Sequence, residues 1–231
     1  MMSLRLALLD ASHGTEHTRR NFRRELAADL AEFDVTAGEL PADFDYDGVV
    51  VTGSRSSVYW DDPWIDALVD WVARAAERGF PILGVCYGHQ VLAEALGGQV
   101  DPMDDIELGY RPIDQRDDDP LFDGIDAPFV AFETHSDRVT DLPPGATLLA
   151  ENDRGVQAFR RDDCWGVQFH PEYDRSSAET VTRGKDLPDE RIRAVVDGID
   201  DDNYAAACRT KRLFDNFTDY VRERRTPEAD R

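Results

Sequence analysis

The apolar side chains alternate between two spacings along the first half of the chain, and that alternation predicts an α/β fold. Residues 4–9 form an apolar run broken only by Arg5, followed by the turn-forming Asp10-Ala11-Ser12-His13-Gly14. A buried strand and a loop are expected there. Across residues 15–33, Phe22, Leu26, Leu30 and Phe33 recur at helical spacing with arginines on the other faces, which predicts one helix. Val49-Val50-Val51-Thr52 predicts a second buried strand, running into the loop Gly53-Ser54-Arg55-Ser56-Ser57. Asp62 and Pro63 suit an N-cap and a first helical position. Ile65, Leu68, Val69 and Val72 then form an apolar face that Gly79 brings to an end. Residues 81–85 predict another strand, and residues 90–96 another helix.

The second half changes rhythm. Short strands are expected at 129–132, 147–150, 156–159 and 165–169, close enough together for a small antiparallel sheet beside the parallel one. The polar stretch 176–202 predicts an inserted helical segment with loops. Leu213, Phe217, Tyr220 and Val221 mark a C-terminal helix from about 203 to 225. The expectation is one domain over 1–231, a mostly parallel central sheet flanked by helices, with 176–231 as a helical extension.

Charge narrows the range of partners. The 231 residues carry 26 basic and 48 acidic side chains, a net charge of −22, and only Lys185 and Lys211 are lysines. So acidic a surface repels phosphate, which argues against nucleic acid and against anionic membranes as partners. Abundant aspartate with scarce lysine points to a salt-filled cytoplasm, where ions screen the self-repulsion. No apolar run approaches the length of a membrane span, and Met1-Met2-Ser3-Leu4-Arg5 lacks the apolar core of a signal peptide. Three cysteines without a close pair do not make a disulfide framework, so a soluble, cytoplasmic protein is expected.

The most informative chemistry lies in Gly84-Val85-Cys86-Tyr87-Gly88, between a strand and a helix. This is the cysteine form of a nucleophile elbow: small flanking residues allow a sharp turn that exposes the nucleophile. The positive end of the following helix favours the thiolate. A thiolate nucleophile needs a proton donor for its leaving group and a group to orient that donor. His170-Pro171-Glu172 ends the last predicted strand, and residues two apart on extended chain project to the same side. His170 and Glu172 can therefore stand side by side.

Three separated segments, 81–90, 166–172 and Glu133-Thr134-His135-Ser136-Asp137, resemble the class I, triad-type glutamine amidotransferases in sequence and in order. The resemblance covers roughly residues 4–175. It looks closest to stand-alone relatives of the glutaminase domain of GMP synthase, through Ser57-Val58-Tyr59, Asp62-Pro63-Trp64 and Glu107-Leu108-Gly109. It implies a flavodoxin-like fold and hydrolysis of glutamine to glutamate and ammonia, with Cys86 as nucleophile, His170 as acid and base, and Glu172 orienting His170. It further implies oxyanion donors at the backbone N–H groups of Tyr87 and Ser54. Gly53, Gln90 and the backbone around Thr134, His135 and Ser136 would then hold the substrate. Three positions depart from the family pattern: Ser54 and Arg55 replace a glycine and a proline, and Ser136 replaces a glycine.

No phosphate-binding Gly-x-x-x-x-Gly-Lys loop is present, and no metal or other cofactor is expected. The ammonia would then pass to a separate synthetase subunit. Two alternatives share the scaffold: a γ-glutamyl hydrolase or peptidase, and a non-catalytic regulatory protein. His13 and His17, four apart, read as solvated rather than metal-binding. Arg19, Arg20, Arg23 and Arg24 read as a solvated helix face, with a docking surface as the sharper idea. Cys164 and Cys208 lack elbow glycines and read as structural.

Overall fold

The computed structural model describes residues 3–225. Its first half runs β1 (Arg5–Asp10), α1 (Glu16–Glu25), β2 (Asp29–Asp34), β3 (Gly48–Val51), α2 (Pro63–Glu77), β4 (Ile82–Val85) and α3 (Tyr87–Ala95). Five strands follow: β5 (Gln99–Gln115), β6 (Phe129–Asp141), β7 (Thr147–Asn152), β8 (Gly155–Arg161) and β9 (Cys164–Val167). The chain closes with α4 (Arg175–Arg183), α5 (Asp189–Asp197), α6 (Asp201–Ala207) and α7 (Arg212–Arg225).

The strands order as β2-β1-β3-β4-β9-β8-β7-β5-β6. The first five pair in parallel, and β8, β7, β5 and β6 continue antiparallel from β9. Every residue of β3, β4 and β9 is buried, as befits central strands covered on both faces. Alternate residues of β1 feed two cores. Leu6 and Leu8 pack with Phe22 of α1 and with Leu213, Phe214, Phe217 and Val221 of α7. Ala7 and Leu9 pack with Ile65, Leu68, Trp71 and Val72 of α2 and with Val91 and Leu92 of α3. The result is a helix–sheet–helix sandwich with the carboxyl ends of the parallel strands free to build a site.

Four expectations need adjustment. The single helix over 15–33 is instead α1 and β2. The chain leaves the helix at Leu26, already extended at φ −92° and ψ 113°, and β2 pairs with β1 from Asp29. Leu30 then joins one core and Phe33 the other, the signature of a strand with period two. The single C-terminal helix is broken by a 3-10 turn at Cys208–Lys211, because only α7 has an apolar face to bury; α6 buries none of its residues. Helix α3 starts at Tyr87, three residues earlier than expected. The long strand β5 has no counterpart among the expected strands: its acidic and proline-bearing sequence is held by pairing with β6, not by an apolar face of its own. No helix among the described residues is long and apolar enough to cross a membrane.

Candidate active site

Cys86 lies between β4 and α3 at φ 54° and ψ −103°, a conformation that costs a non-glycine residue about 1–3 kcal/mol. Its flanking glycines are required by close packing. A Cβ on Gly84 would lie 2.2 Å from the Gly88 carbonyl oxygen, and one on Gly88 would lie 2.3 Å from that of Val51. The elbow therefore seats α3 directly against the ends of β3 and β4. The Cys86 amide donates to Val167 of β9 at 2.8 Å, which fixes the turn to the neighbouring strand.

The strand β9 delivers His170 to the same point, where its amide donates to Phe132 of β6 at 2.9 Å. The His170 Nδ1 lies 2.7 Å from Glu172 Oε1, and Tyr173 stacks on the imidazole with ring centres 4.2 Å apart. The Arg24 guanidinium donates to the Glu172 carbonyl at 2.6 Å, tying this segment to α1. A Cβ on Gly53 would fall 2.9 Å from His170 Cε1 and 3.6 Å from Cys86 Cβ. Only glycine leaves room for both groups there. Burial works against charge on His170, but the Glu172 carboxylate and the Cys86 sulfur outweigh it and raise its pKa to about 10. The pair is thus an imidazolium beside the Cys86 sulfur.

The cavity over these groups is lined by Gly53, Ser54, Arg55, Thr134, His170, Glu172 and Tyr173, together with residues of the β1–α1 loop and of α1, Val181 of α4 and Lys185 beyond it. Neither the Ser54 nor the Tyr87 amide donates to another described protein group, so both are free to face an oxyanion. Ser54 and Ser136 both avoid positive φ, so replacing the family's glycines costs no backbone strain. Ser54 Oγ accepts from the Ser56 amide at 3.1 Å and closes the loop on itself.

The side chains of three of the expected substrate-binding residues, Gln90, His135 and Ser136, do not line the cavity. The Gln90 side chain is buried, and its Nε2 donates to the Asp137 carbonyl and to Gln168 Oε1, both at 3.2 Å. As placed it braces α3 against β6 and the end of β9, outside the cavity wall. His135 is buried behind the cavity. Its Nδ1 donates to the Asp137 carbonyl at 2.9 Å, while its Nε2 lies 3.0 Å from Glu107 and 3.2 Å from Glu133. Ser136 is exposed, and Thr134 alone of that segment reaches the cavity.

Spacing shows only part of the Glu107–His135–Glu133 cluster: Glu133 and His135 lie two apart on β6, while Glu107 joins them through the β5–β6 register. Its three ligand atoms lie within 4.8 Å of one another; burial pushes the Glu133 pKa up to about 7, so near neutral pH the His135 cation has little more than one full carboxylate charge to balance. Burial opposes that charge, but the bonds to Glu107 and Glu133 raise the His135 pKa to about 10. The folded value lies above the ordinary 6.5, so the cation stabilises the fold fully below that pH and the contribution fades as pH rises towards 10. The thermal midpoint should therefore fall between about pH 6.5 and 10 at fixed salt. Glu107→Gln, which removes one of the two acceptor charges, should make that fall shallower. Thermal melts across the range check it, and an unchanged slope in the variant would show that the pair does not hold the proton.

Asp137, whose partner the sequence alone does not identify, accepts from Ser57 Oγ at 2.6 Å and from Tyr59 Oη at 2.9 Å. It thereby ties the loop carrying Ser54 to β6. His13 lies outside any helix, bonded to Ser56 Oγ at 2.8 Å and packed edge-on against Trp64. The α1 arginines are engaged by acids: Arg19 with Asp10, Arg20 and Arg24 with Asp174, and Arg23 with Glu32. That leaves little of the group for a docking surface.

A buried cysteine on a strand–helix elbow thus stands beside a carboxylate-bound histidine at the carboxyl edge of a parallel sheet. The family described as glutamine amidotransferase class-I matches residues 8–183, and the chain belongs to that family. The glutamine-hydrolyzing GMP synthase of Thermomicrobium roseum is 40% identical over 126 residues, 54% of this chain and 23% of that protein. A glutamine-hydrolyzing GMP synthase subunit from Sulfurisphaera tokodaii is 37% identical over 131 residues, covering 55% of this chain and 68% of its own length. The chain thus matches only about a quarter of the length of the Thermomicrobium enzyme. A glutamine amidotransferase structure from Thermotoga maritima superposes with a TM-score of 0.78 at 20% identity, over 96% of this chain and 99% of that one, which establishes the shared fold.

Proposed function

We propose that this chain hydrolyses L-glutamine to glutamate and ammonia through a thioester on Cys86, and that the ammonia passes to a separate synthetase subunit. The observation that carries the reading is the convergence of Cys86 and His170 on Gly53, at the floor of a cavity lined by Gly53 and His170, with His170 bound to Glu172 at 2.7 Å. The Cys86 sulfur attacks the carboxamide carbon, and the Tyr87 and Ser54 amides receive the developing oxyanion. The carbon–nitrogen bond then breaks as His170 gives its proton to the departing ammonia. His170 next takes a proton from water, which attacks the thioester and releases glutamate. Glu172 holds the imidazole and balances its charge throughout.

A separate ammonia acceptor is supported by the name of the Sulfurisphaera relative and by the loop beyond Ser54. Tyr59 and Trp60, the large apolar side chains exposed among the described residues, stand on that loop and give a partner an apolar hold beside the cavity.

The test is to follow glutamate and ammonia from L-glutamine and to map labelling by an electrophilic glutamine analogue. Equal release of the two products is expected, with one label per chain, on the Cys86 peptide. Labelling of Cys164 or Cys208 instead, or no glutamate from folded protein, would sink the reading.

A further inference from the structure

The loop that joins β3 to α2 carries Ser54, which the reading above makes an oxyanion donor. None of its amides from Gly53 to Ser57 donates to another backbone group among the described residues. Side chains hold it instead, and those at the Ser54 end meet the β1–α1 loop. The Ala11 amide donates to Thr52 Oγ1 at 2.9 Å, and Thr52 Oγ1 donates to the Gly53 carbonyl at 3.1 Å. Two residues beyond Ser54, Ser56 Oγ lies 2.8 Å from His13 Nε2, while the Ser56 amide donates to Ser54 Oγ at 3.1 Å. His13 thus grips the residue that closes the turn around Ser54.

His13 is held there against its backbone preference. Its φ of 56° lies in the left-handed region, which disfavours any residue with a Cβ. The half-buried ring also packs edge-on against Trp64 of α2 with ring centres 5.7 Å apart, and Trp64 packs on Tyr87 at 5.9 Å. Tyr87 carries the other oxyanion donor. One imidazole therefore links the two segments whose amides must aim at the same oxygen. Such donors work by being in place before the charge develops, so that no reorganisation is needed when it does.

We propose that His13 is a positioning residue for the oxyanion hole: its bond to Ser56 fixes where the Ser54 amide points, and its packing on Trp64 holds that loop in register with Tyr87. The inference rests on the glutamine chemistry proposed above. His13 touches no reacting atom in this role. Its contribution is made only as charge develops on the carbonyl oxygen, first when the thioester forms and again when water cleaves it. Substrate binding and the nucleophilicity of Cys86 do not depend on it.

Two readouts on the full chain separate this role from a structural one. Glutamine hydrolysis needs the oxyanion hole, whereas alkylation of Cys86 by iodoacetamide displaces iodide at a saturated carbon and forms no oxyanion. In His13→Ala, kcat on glutamine should fall about ten-fold with KM within about two-fold of the parent, part of the about 10²–10³-fold cost of losing a donor outright. The rate of Cys86 alkylation, followed by mass, should stay within about two-fold. His13→Gly, free of the left-handed strain, should be as slow as His13→Ala, while His13→Gln, whose amide can reach Ser56, should recover most of the loss. Ser56→Ala should match His13→Ala, and the double variant should be no slower than either. An unchanged kcat in His13→Ala would overturn the proposal. So would losses that multiply in the double variant, since the two residues would then act apart. Equal falls in kcat and in alkylation would make His13 a support for the elbow, overturning the proposal and leaving the glutaminase reading standing. A folded parent chain whose Cys86 is alkylated but which releases no glutamate would bring down both.

Discussion

Cys86→Ala and Cys86→Gly should both lose at least about four orders of magnitude in glutamine turnover, since no other group in the cavity can form the thioester. The two variants should differ in stability, and in an unusual direction. Glycine at an ordinary position in a regular element is about 0.5–1 kcal/mol less stable than alanine. Residue 86 is held at φ 54° and ψ −103°, where any Cβ is strained. The Cys86→Gly protein should therefore be the more stable of the pair, by up to about 2 kcal/mol once the ordinary cost of glycine is taken from the strain relieved. Denaturant unfolding of both variants measures the order directly. An alanine variant equal to or more stable than the glycine one would mean that the elbow stores no strain and that the nucleophile is not held against a resisting backbone. The seat for that strain is provided by Gly84 and Gly88, whose missing Cβ atoms let α3 pack hard on β3 and β4.

The elbow was legible in the sequence because its requirements are local. A nucleophile between two close backbone approaches leaves glycine at fixed offsets, and strand and helix signals on either side confirm the setting. His170 and Glu172 were legible for a similar reason: two residues apart on extended chain, they must share a side. The parallel strands could be found because burial on both faces leaves unbroken apolar runs, as in Val49-Val50-Val51. What escaped was whatever depends on partners distant in sequence. Leu30 and Phe33 fit a helical period by coincidence, and only the pairing of Asp29–Asp34 with β1 makes them a strand. Strand β5 exists because β6 lies against it. The place of Glu107 beside His135, and the Asp137 ties to Ser57 and Tyr59, follow from register and loop path, which no spacing rule encodes. Gln90 shows the reverse case: the motif marked the position, while its neighbours Asp137 and Gln168 determined where the amide points. Lys185 enters the cavity from a segment whose sequence carries no motif at all.

Glu172→Gln should leave the fold intact and lower kcat/KM on glutamine by about three to four orders of magnitude, as expected when the orienting acid of a triad loses its charge. The side chain keeps its size, so the effect isolates charge and proton placement. With glutamate, the His170 Nδ1–H donates to Oε1 at 2.7 Å and leaves Nε2 to exchange a proton with the sulfur and the leaving group. A carboxamide can turn its NH2 towards Nδ1, which would force the proton onto Nε2 and block that exchange. Even in the other orientation the imidazolium loses the counter-charge that sustains it. Burial, the largest single influence on His170, would then push its pKa down from about 10. The His170 imidazolium would be populated less, and the pH profile of kcat/KM should change shape as well as height. Glu172→Asp should fall between the two, because it keeps the charge but shortens the reach to Nδ1. Steady-state kinetics from about pH 5 to 10 on the three proteins, with circular dichroism as the folding control, tests this. A folded Glu172→Gln enzyme within about ten-fold of the parent at every pH would remove Glu172 from the machinery and leave His170 acting without an orienting acid.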